Sequence, residues 1–481
     1  MRNRTKGAVA AGLALTVAGA VAVTAGAATS DGTDGPSRGK AAEKVKEDFN
    51  GDGYEDLAIA APQVDDDAKG YVAVVYGSAK GLNLSTRSVI PMDAVDMPEV
   101  EKGRFADKLA AADLDGDGVT DLAVQVQGAG KDRMVALWGA KGEGGGLSAS
   151  RSAVLHDAER MATGDFNGDG QQDLFVTEYM KDEEATLLQG PFTREGKPAK
   201  EQALDIRAGD DDAVGVTAGD INGDGADDVY VSRSMEESSR VGVLLTGGKD
   251  GLTKTDWEGP LSLPATIGDF DGDGYGDLAY REVPDGIVEG PWTDSGTVKV
   301  RYGGKDGFSD RTATFTQATP GVPGANEEGD VFGATLSAGD VDGDGRDDLA
   351  VGVPGEAIGT LKHAGSTVLL KGSADGLTGT GAQAFSQDSP GVPGVAEAGD
   401  KFGGNLRLLD FDNDGKADLA DSAPGENESN GAVWAFPGTS SGLGVDKGIS
   451  FAPGDLGAPA DQALFGHNFN GSVEDPWGLE D

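Results

Sequence analysis

The chain has 481 residues, 79 of them glycine, no cysteine and a formal net charge of −44. Such acidity excludes DNA and RNA as natural partners, because a polyanion repels them. The lack of cysteine excludes disulfides and thiol chemistry.

The first element is a targeting segment. Arg2, Arg4 and Lys6 form a basic start, residues 8–23 an apolar middle, and Ala25-Gly-Ala27 a small-residue cleavage site, so 1–28 reads as a secretory signal. Residues 29–46 are polar and rich in Gly, Ser and Lys, the composition of a flexible leader. No second apolar span follows, so an exported monomer with no membrane span after signal removal is expected.

From Asp48 onward one motif, D-x-[DN]-x-D-G-x-x-D, recurs seven times, at steps of 65, 52, 55, 49, 71 and 70 residues between first aspartates. Positions 1, 3, 5, 7 and 9 are Asp48, Asn50, Asp52, Tyr54 and Asp56 in the first copy, and Asp113, Asp115, Asp117, Val119 and Asp121 in the second. The third has Asp165, Asn167, Asp169, Gln171 and Asp173; the fourth Asp220, Asn222, Asp224, Ala226 and Asp228; the fifth Asp269, Asp271, Asp273, Tyr275 and Asp277. The sixth has Asp340, Asp342, Asp344, Arg346 and Asp348, and the seventh Asp410, Asp412, Asp414, Lys416 and Asp418. Side-chain oxygens at 1, 3, 5 and 9, a backbone carbonyl at 7 and a turn glycine at 6 describe a calcium cage. Asn at position 3 fits, since an amide oxygen also coordinates. Up to seven Ca2+ ions are expected.

These are not EF-hands. Position 12 is Ile59, Val124, Val176, Val231, Tyr280, Val351 and Asp421, and six of these seven cannot chelate through a side chain. A short apolar run follows each loop, such as Leu57-Ala-Ile-Ala-Ala61 or Leu349-Ala-Val-Gly-Val353. Its length and β-branched content predict a strand, not a helix. A second strand ending in glycine-rich turn chemistry follows in every repeat, from Tyr71-Val-Ala-Val-Val-Tyr76 to Ala432-Val-Trp-Ala-Phe436. Regular repetition of such units is the signature of a repeat architecture.

Phe105-Ala, Phe332-Gly and Phe402-Gly each place their Phe eight residues before a loop's first Asp, and Phe465-Gly466 has no loop after it. Ala60-Ala-Pro62, Gly352-Val-Pro354 and Ser422-Ala-Pro424 follow three of the loops. This succession resembles the FG-GAP repeat of integrin α subunits and of many secreted bacterial proteins. The resemblance implies an all-β, seven-bladed β-propeller over 47–475, with a tail at 476–481, in an extracellular setting. The first loop lacks a preceding Phe-Gly and the last Phe-Gly lacks a loop, so the two ends are expected to share a blade and close the ring. Repeats 3 to 5 lack the Phe-Gly pair, which leaves their blade boundaries open.

Removing the three positive charges of the signal takes the net charge from −44 to −47, and seven divalent ions would bring it to −33. In a chain without disulfides, such ions are expected to act as the staples. His156, His363 and His467 are far apart and fall in no metal-ligand or triad spacing. No nucleophile elbow, P-loop or dinucleotide fingerprint occurs. With the recurrent acids assigned to calcium, no catalytic residues and no organic cofactor are expected. The reading is a secreted, non-catalytic binding or adhesion module for a protein or glycan ligand. Its alternative is a calcium-dependent carbohydrate-active enzyme, a lyase or hydrolase, on the same fold.

Overall fold

The computed structural model describes residues 46–471 except 63–69, 96–103, 128–131, 143, 178–183, 208–211, 236–237, 260–261 and 284–292. The expected signal, the leader up to residue 45 and the tail 476–481 lie outside the described residues. Among the described residues no helix is long and apolar enough to cross a membrane.

Seven antiparallel sheets stand in a ring and form a seven-bladed β-propeller. Blade 1 contains Leu57–Ala61, Tyr71–Tyr76 and Asn83–Pro91. Blade 2 contains Phe105–Ala112, Asp121–Val126, Arg133–Leu137 and Ser152–His156; blade 3 Arg160–Gly164, Asp173–Thr177, Glu184–Gln189 and Lys200–Asp205. Blade 4 contains Asp212–Gly219, Asp228–Met235, Ser238–Thr246 and Thr253–Glu258; blade 5 Ser262–Gly268, Asp277–Glu282, Val298–Arg301 and Thr312–Phe315. Blade 6 contains Leu336–Gly339, Asp348–Val353, Ser366–Lys371 and Thr378–Phe385; blade 7 Asn405–Leu409, Asp418–Ala423, Ala432–Phe436 and Ile449–Phe451.

The strand after each loop is clamped between two neighbouring blades. Leu57–Ala61 is buried at every residue. Its alternation feeds two cores: Ala58 and Ala60 pack toward blade 2 with Phe105, Leu122 and Val135, while Leu57, Ile59 and Ala61 pack toward blade 7 with Phe411, Val433 and Phe465. Burial on both faces is why these runs read as continuous apolar stretches. The outer strands are polar; Lys200–Asp205 buries only one of its six residues fully. Charged, short edges of this kind discourage pairing with other chains.

The ring closes as the orphan segments require. Ile59 pairs antiparallel with Phe469. The Ala60 amide donates to the Asn468 carbonyl (2.8 Å) and the Asn470 amide to the Ala58 carbonyl (3.2 Å). The Asn470 side chain accepts from the Ala58 amide at 2.8 Å and also touches Glu47. The C-terminal segment therefore supplies the innermost pairing of a blade whose other three strands come from the N-terminal end.

The Phe-Gly pairs have a conformational reason. Gly333, Gly403 and Gly466 have φ of 91°, 80° and 88°. A Cβ on Gly403 would lie 2.5 Å from the Ser366 carbonyl, and one on Gly466 2.6 Å from Ser422 Cβ. The Phe before each is fully buried. Blade 2 carries Ala106 at φ 68° in the same place. Gly403→Ala is expected to cost roughly 2 kcal/mol, from left-handed strain plus overlap with the backbone, measured by denaturant unfolding. Stability equal to the parent's would show that the turn relaxes freely.

Candidate metal centre

Six of the aspartate loops connect the innermost strand of a blade to the next, and the first, at Asp48, leads directly into Leu57–Ala61, so all seven lie at one end of the propeller. The loop builds itself from its own acids. In the second copy, Asp113 Oδ1 accepts from the amides of Gly116 (2.9 Å) and Asp117 (3.1 Å), and Oδ2 from Gly118 (2.8 Å). Asp115 accepts from the Asp117 amide, and Asp117 from the Val119 amide. The same pattern curls the chain at Asp48, Asp220, Asp269 and Asp340. The glycine at position 4 also has a purpose: its φ lies at 71°, 74°, 68°, 68°, 72° and 75° in the first six loops, and Asn413 takes φ 57° in the seventh. Asparagine is one of the few other residues that tolerates this region.

Position 9 lies deepest. Asp56 is fully buried; one oxygen accepts from the Phe49 amide (2.8 Å), the other from the Gly77 amide at the end of the third strand (2.9 Å). Asp121, Asp228, Asp277 and Asp418 bridge the loop's position 2 and the third strand in the same way. Burial pushes Asp56, Asp121 and Asp277 up to about 8, and Asp173, Asp228 and Asp418 up to about 7, against the pull of these backbone donors and with help from the neighbouring loop acids.

Among the described residues, three carboxylates converge within 4.8 Å in four loops: Asp113, Asp115 and Asp121; Asp269, Asp271 and Asp273; Asp340, Asp342 and Asp344; Asp410, Asp412 and Asp418. The loops starting at Asp48, Asp165 and Asp220 have Asn50, Asn167 and Asn222 at position 3, which removes one carboxylate from each. Asp173 Oδ2, Asp271 Oδ1 and Asp342 Oδ1 are buried and meet no hydrogen-bond donor. Crowded carboxylates with idle, buried oxygens fit a hard cation, which prefers an all-oxygen shell. Asp421, the only acid at a position 12, faces away: it accepts from the Gly403 amide (2.9 Å) and the Thr367 hydroxyl (2.6 Å).

Three features escape a reading that stops at the ligand positions. Position 2 is always apolar, and Phe49, Leu114, Phe166, Ile221, Phe270, Val341 and Phe411 are all buried between blades, anchoring each loop. Position 8 ties most of the loops to their neighbours. The Asp165 carbonyl accepts from the Asp227 amide (2.9 Å), while Asp227 Oδ2 accepts from the Asp165 amide (2.9 Å). Thr120 and Asp347 make the same two-way link to Asp48 and Asp269. The third feature is basic side chains that reach the acids. Lys371 Nζ lies 2.8 Å from Asp342 Oδ2 and 2.9 Å from Asp348 Oδ2; Arg194 touches Asp115 and Asp117, and Arg311 touches Asp271. The hydrophobic x in D-x-[DN] was a visible signal for the first; the others depend on distant residues.

His156, His363 and His467 lie on the outer strand of blade 2, in a loop of blade 6 and in the closing segment, so the fold does not gather them.

Family models match in two sets: "FG-GAP repeat" over residues 47–75, 332–370 and 402–436, and "FG-GAP-like repeat" over 113–176 and 165–231. Among curated proteins, integrin alpha-PS5 of Drosophila melanogaster is 36% identical over 30% of this chain and 15% of its own length. Integrin alpha-4 of Xenopus laevis is 33% identical over 25% of this chain and 11% of its own. Human phosphatidylinositol-glycan-specific phospholipase D is 29% identical over 30% of this chain and 18% of its own. The chain thus spans less than a fifth of the length of these relatives.

Proposed function

We propose, from the premise that this chain is an FG-GAP repeat protein whose propeller is of the integrin α N-terminal kind, that it is an exported, calcium-stapled binding module without catalytic activity. Its ligand would be an extracellular protein or glycan. The observation that carries the reading is the convergence of loop acids on one end of the ring, within repeats of a family best known from adhesion receptors. Calcium would be held by the side chains at positions 1, 3, 5 and 9 and the carbonyl at 7, and would supply structural cross-linking. The seven ions would fix the loops, which hydrogen-bond from blade to blade, leaving the opposite end, where the second-to-third-strand turns and the connections between blades emerge, to present a rigid surface. Propeller ends of this type combine loops from several blades, and a rigid scaffold lowers the ordering cost of binding.

A panel of extracellular proteins and polysaccharides, scored for both retention and product release with calcium present, tests the proposal. Retention without product is expected, and unchanged retention after joint substitution of His156, His363 and His467. Product release abolished by a change outside the loops that spares the fold would establish the enzyme instead.

Lys371 makes the sixth loop a special case. Its ammonium already balances Asp342 and Asp348, so Lys371→Met should make this loop depend more on added cation. The variant is expected to melt lower than the parent in chelator and to recover more when calcium is added. An identical response in both would show that the ammonium leaves the loop's cation demand unchanged.

A further inference from the structure

Outside the seven loops, at the other end of the ring, the chain repeats a second acidic arrangement in blades 6 and 7. It is built from a nearly duplicated segment, Gln317 to Asp330 and Gln387 to Asp400, that leads from one blade's outer strand to the next blade's inner strand. In the first copy Gln317 Nε2 donates to Glu356 Oε2 at 2.6 Å, and the charges of Asp330 and Glu327 act on the same glutamate. In the second, Gln387 Nε2 donates to Glu426 Oε2, again at 2.6 Å, and Asp400 lies against both Glu426 and Gln387. Gln317 and Gln387 are only 3% and 2% exposed, and Asp330 and Asp400 3% and 2%.

In both copies the glutamine Oε1 is buried without a hydrogen-bond partner. An ionised glutamate oxygen can only accept, so it meets the amide nitrogen and the idle atom is the acceptor. A buried amide oxygen without a donor is costly, and finding the same one twice beside the same pair of carboxylates points to a shared cause. The idle oxygen and the two acids are all hard oxygen acceptors, and the two carboxylates carry the charge of one divalent cation. Near-complete burial of the glutamine and the aspartate excludes a macromolecule as the ligand.

We propose that Gln317, Asp330 and Glu356, and equally Gln387, Asp400 and Glu426, each form a further divalent-cation site of the calcium type, separate from the aspartate loops. Each site cross-links an interblade connection to the turn after the next blade's second strand. It stiffens the end of the propeller opposite the loops.

Calcium bound by the full chain is counted by metal analysis after equilibrium dialysis. Glu356→Gln/Glu426→Gln, which keeps side-chain size, is expected to hold two fewer ions than the parent. Asp412→Ala, in the seventh loop, serves as an independent count of loop binding. A double variant that holds as many ions as the parent would overturn the proposal, whatever the loop variant does, and would indicate that each acid pair shares a proton instead. Should the double variant fail to fold, terbium luminescence of the otherwise intact chain decides. The Trp434 indole donates to the Pro393 carbonyl at 2.7 Å, within the second segment. Trp434→Phe is therefore expected to remove one titrating component of tryptophan-sensitised emission, and emission unchanged in the variant would also overturn the proposal.

Discussion

Deleting Asp461–Asp481 is expected to unfold blade 1, some four hundred residues away in sequence, and to lower the stability of the whole ring. Phe465 and Phe469 are both fully buried in the core shared by blades 1 and 7. Losing a buried Phe typically costs about 3–5 kcal/mol, and the deletion takes two together with the pairing of Ile59 with Phe469. That sum approaches the roughly 5–15 kcal/mol total stability of an ordinary domain. It would also expose the inner edge of Leu57–Ala61, a continuous apolar strand and an aggregation hazard. Hydrogen exchange should show lost protection first at Ala58 and Ala60, whose amides donate to Asn470 and Asn468. The point variant Phe469→Ala should reproduce the effect in part, lowering stability by roughly 4 kcal/mol. A truncated chain that melts like the full one would mean that closure contributes nothing.

Chelation is expected to lower the melting temperature steeply, and added calcium to restore it. Any ion that binds only the folded state adds about 2.7 kcal/mol per site at a hundredfold excess over its Kd, and up to seven loops draw on this term. Without cations, crowded acids such as Asp269, Asp271 and Asp273 face one another within 4.8 Å. The strain would not stay local, because Asp165 and Asp227, and Asp269 and Asp347, link successive loops through paired backbone and side-chain bonds. A loosened loop therefore loosens the next blade, and a single cooperative transition is expected. Magnesium should rescue poorly, since it demands a smaller and more regular shell. A melting curve unmoved by excess chelator would remove calcium from the account of stability.

Much of this architecture was legible in the residues because it is repetitive. The loops, the strands after them and the closing role of Phe465-Gly466 all follow from periodic patterns and from two unmatched ends. The outer strands were not legible: Lys200–Asp205 and Thr312–Phe315 pair on one side only, and their sequences satisfy solvent as much as a core. The cross-blade links at position 8 were hidden for another reason. Thr120, Asp227 and Asp347, and Glu55, which accepts from the Asp410 amide, share an acceptor atom rather than a residue type, so a pattern of identities does not find them. Lys371 was hidden by distance, since it meets Asp342 only when the third strand is laid beside the second. The idle oxygens of Gln317 and Gln387 likewise appear only in the folded chain, although the duplicated segments that carry them were plain in the sequence.

The central claim is that the recurrent aspartates are calcium ligands and not surface charge. It is tested most directly by counting ions on the full chain and on Asp412→Ala in parallel dialysis against calcium. Asparagine occurs naturally at position 3, so alanine is the substitution that removes the oxygen altogether. The account predicts that the parent retains several ions and that the variant retains one fewer. A parent that retains none, or a variant that retains the same number, would contradict it.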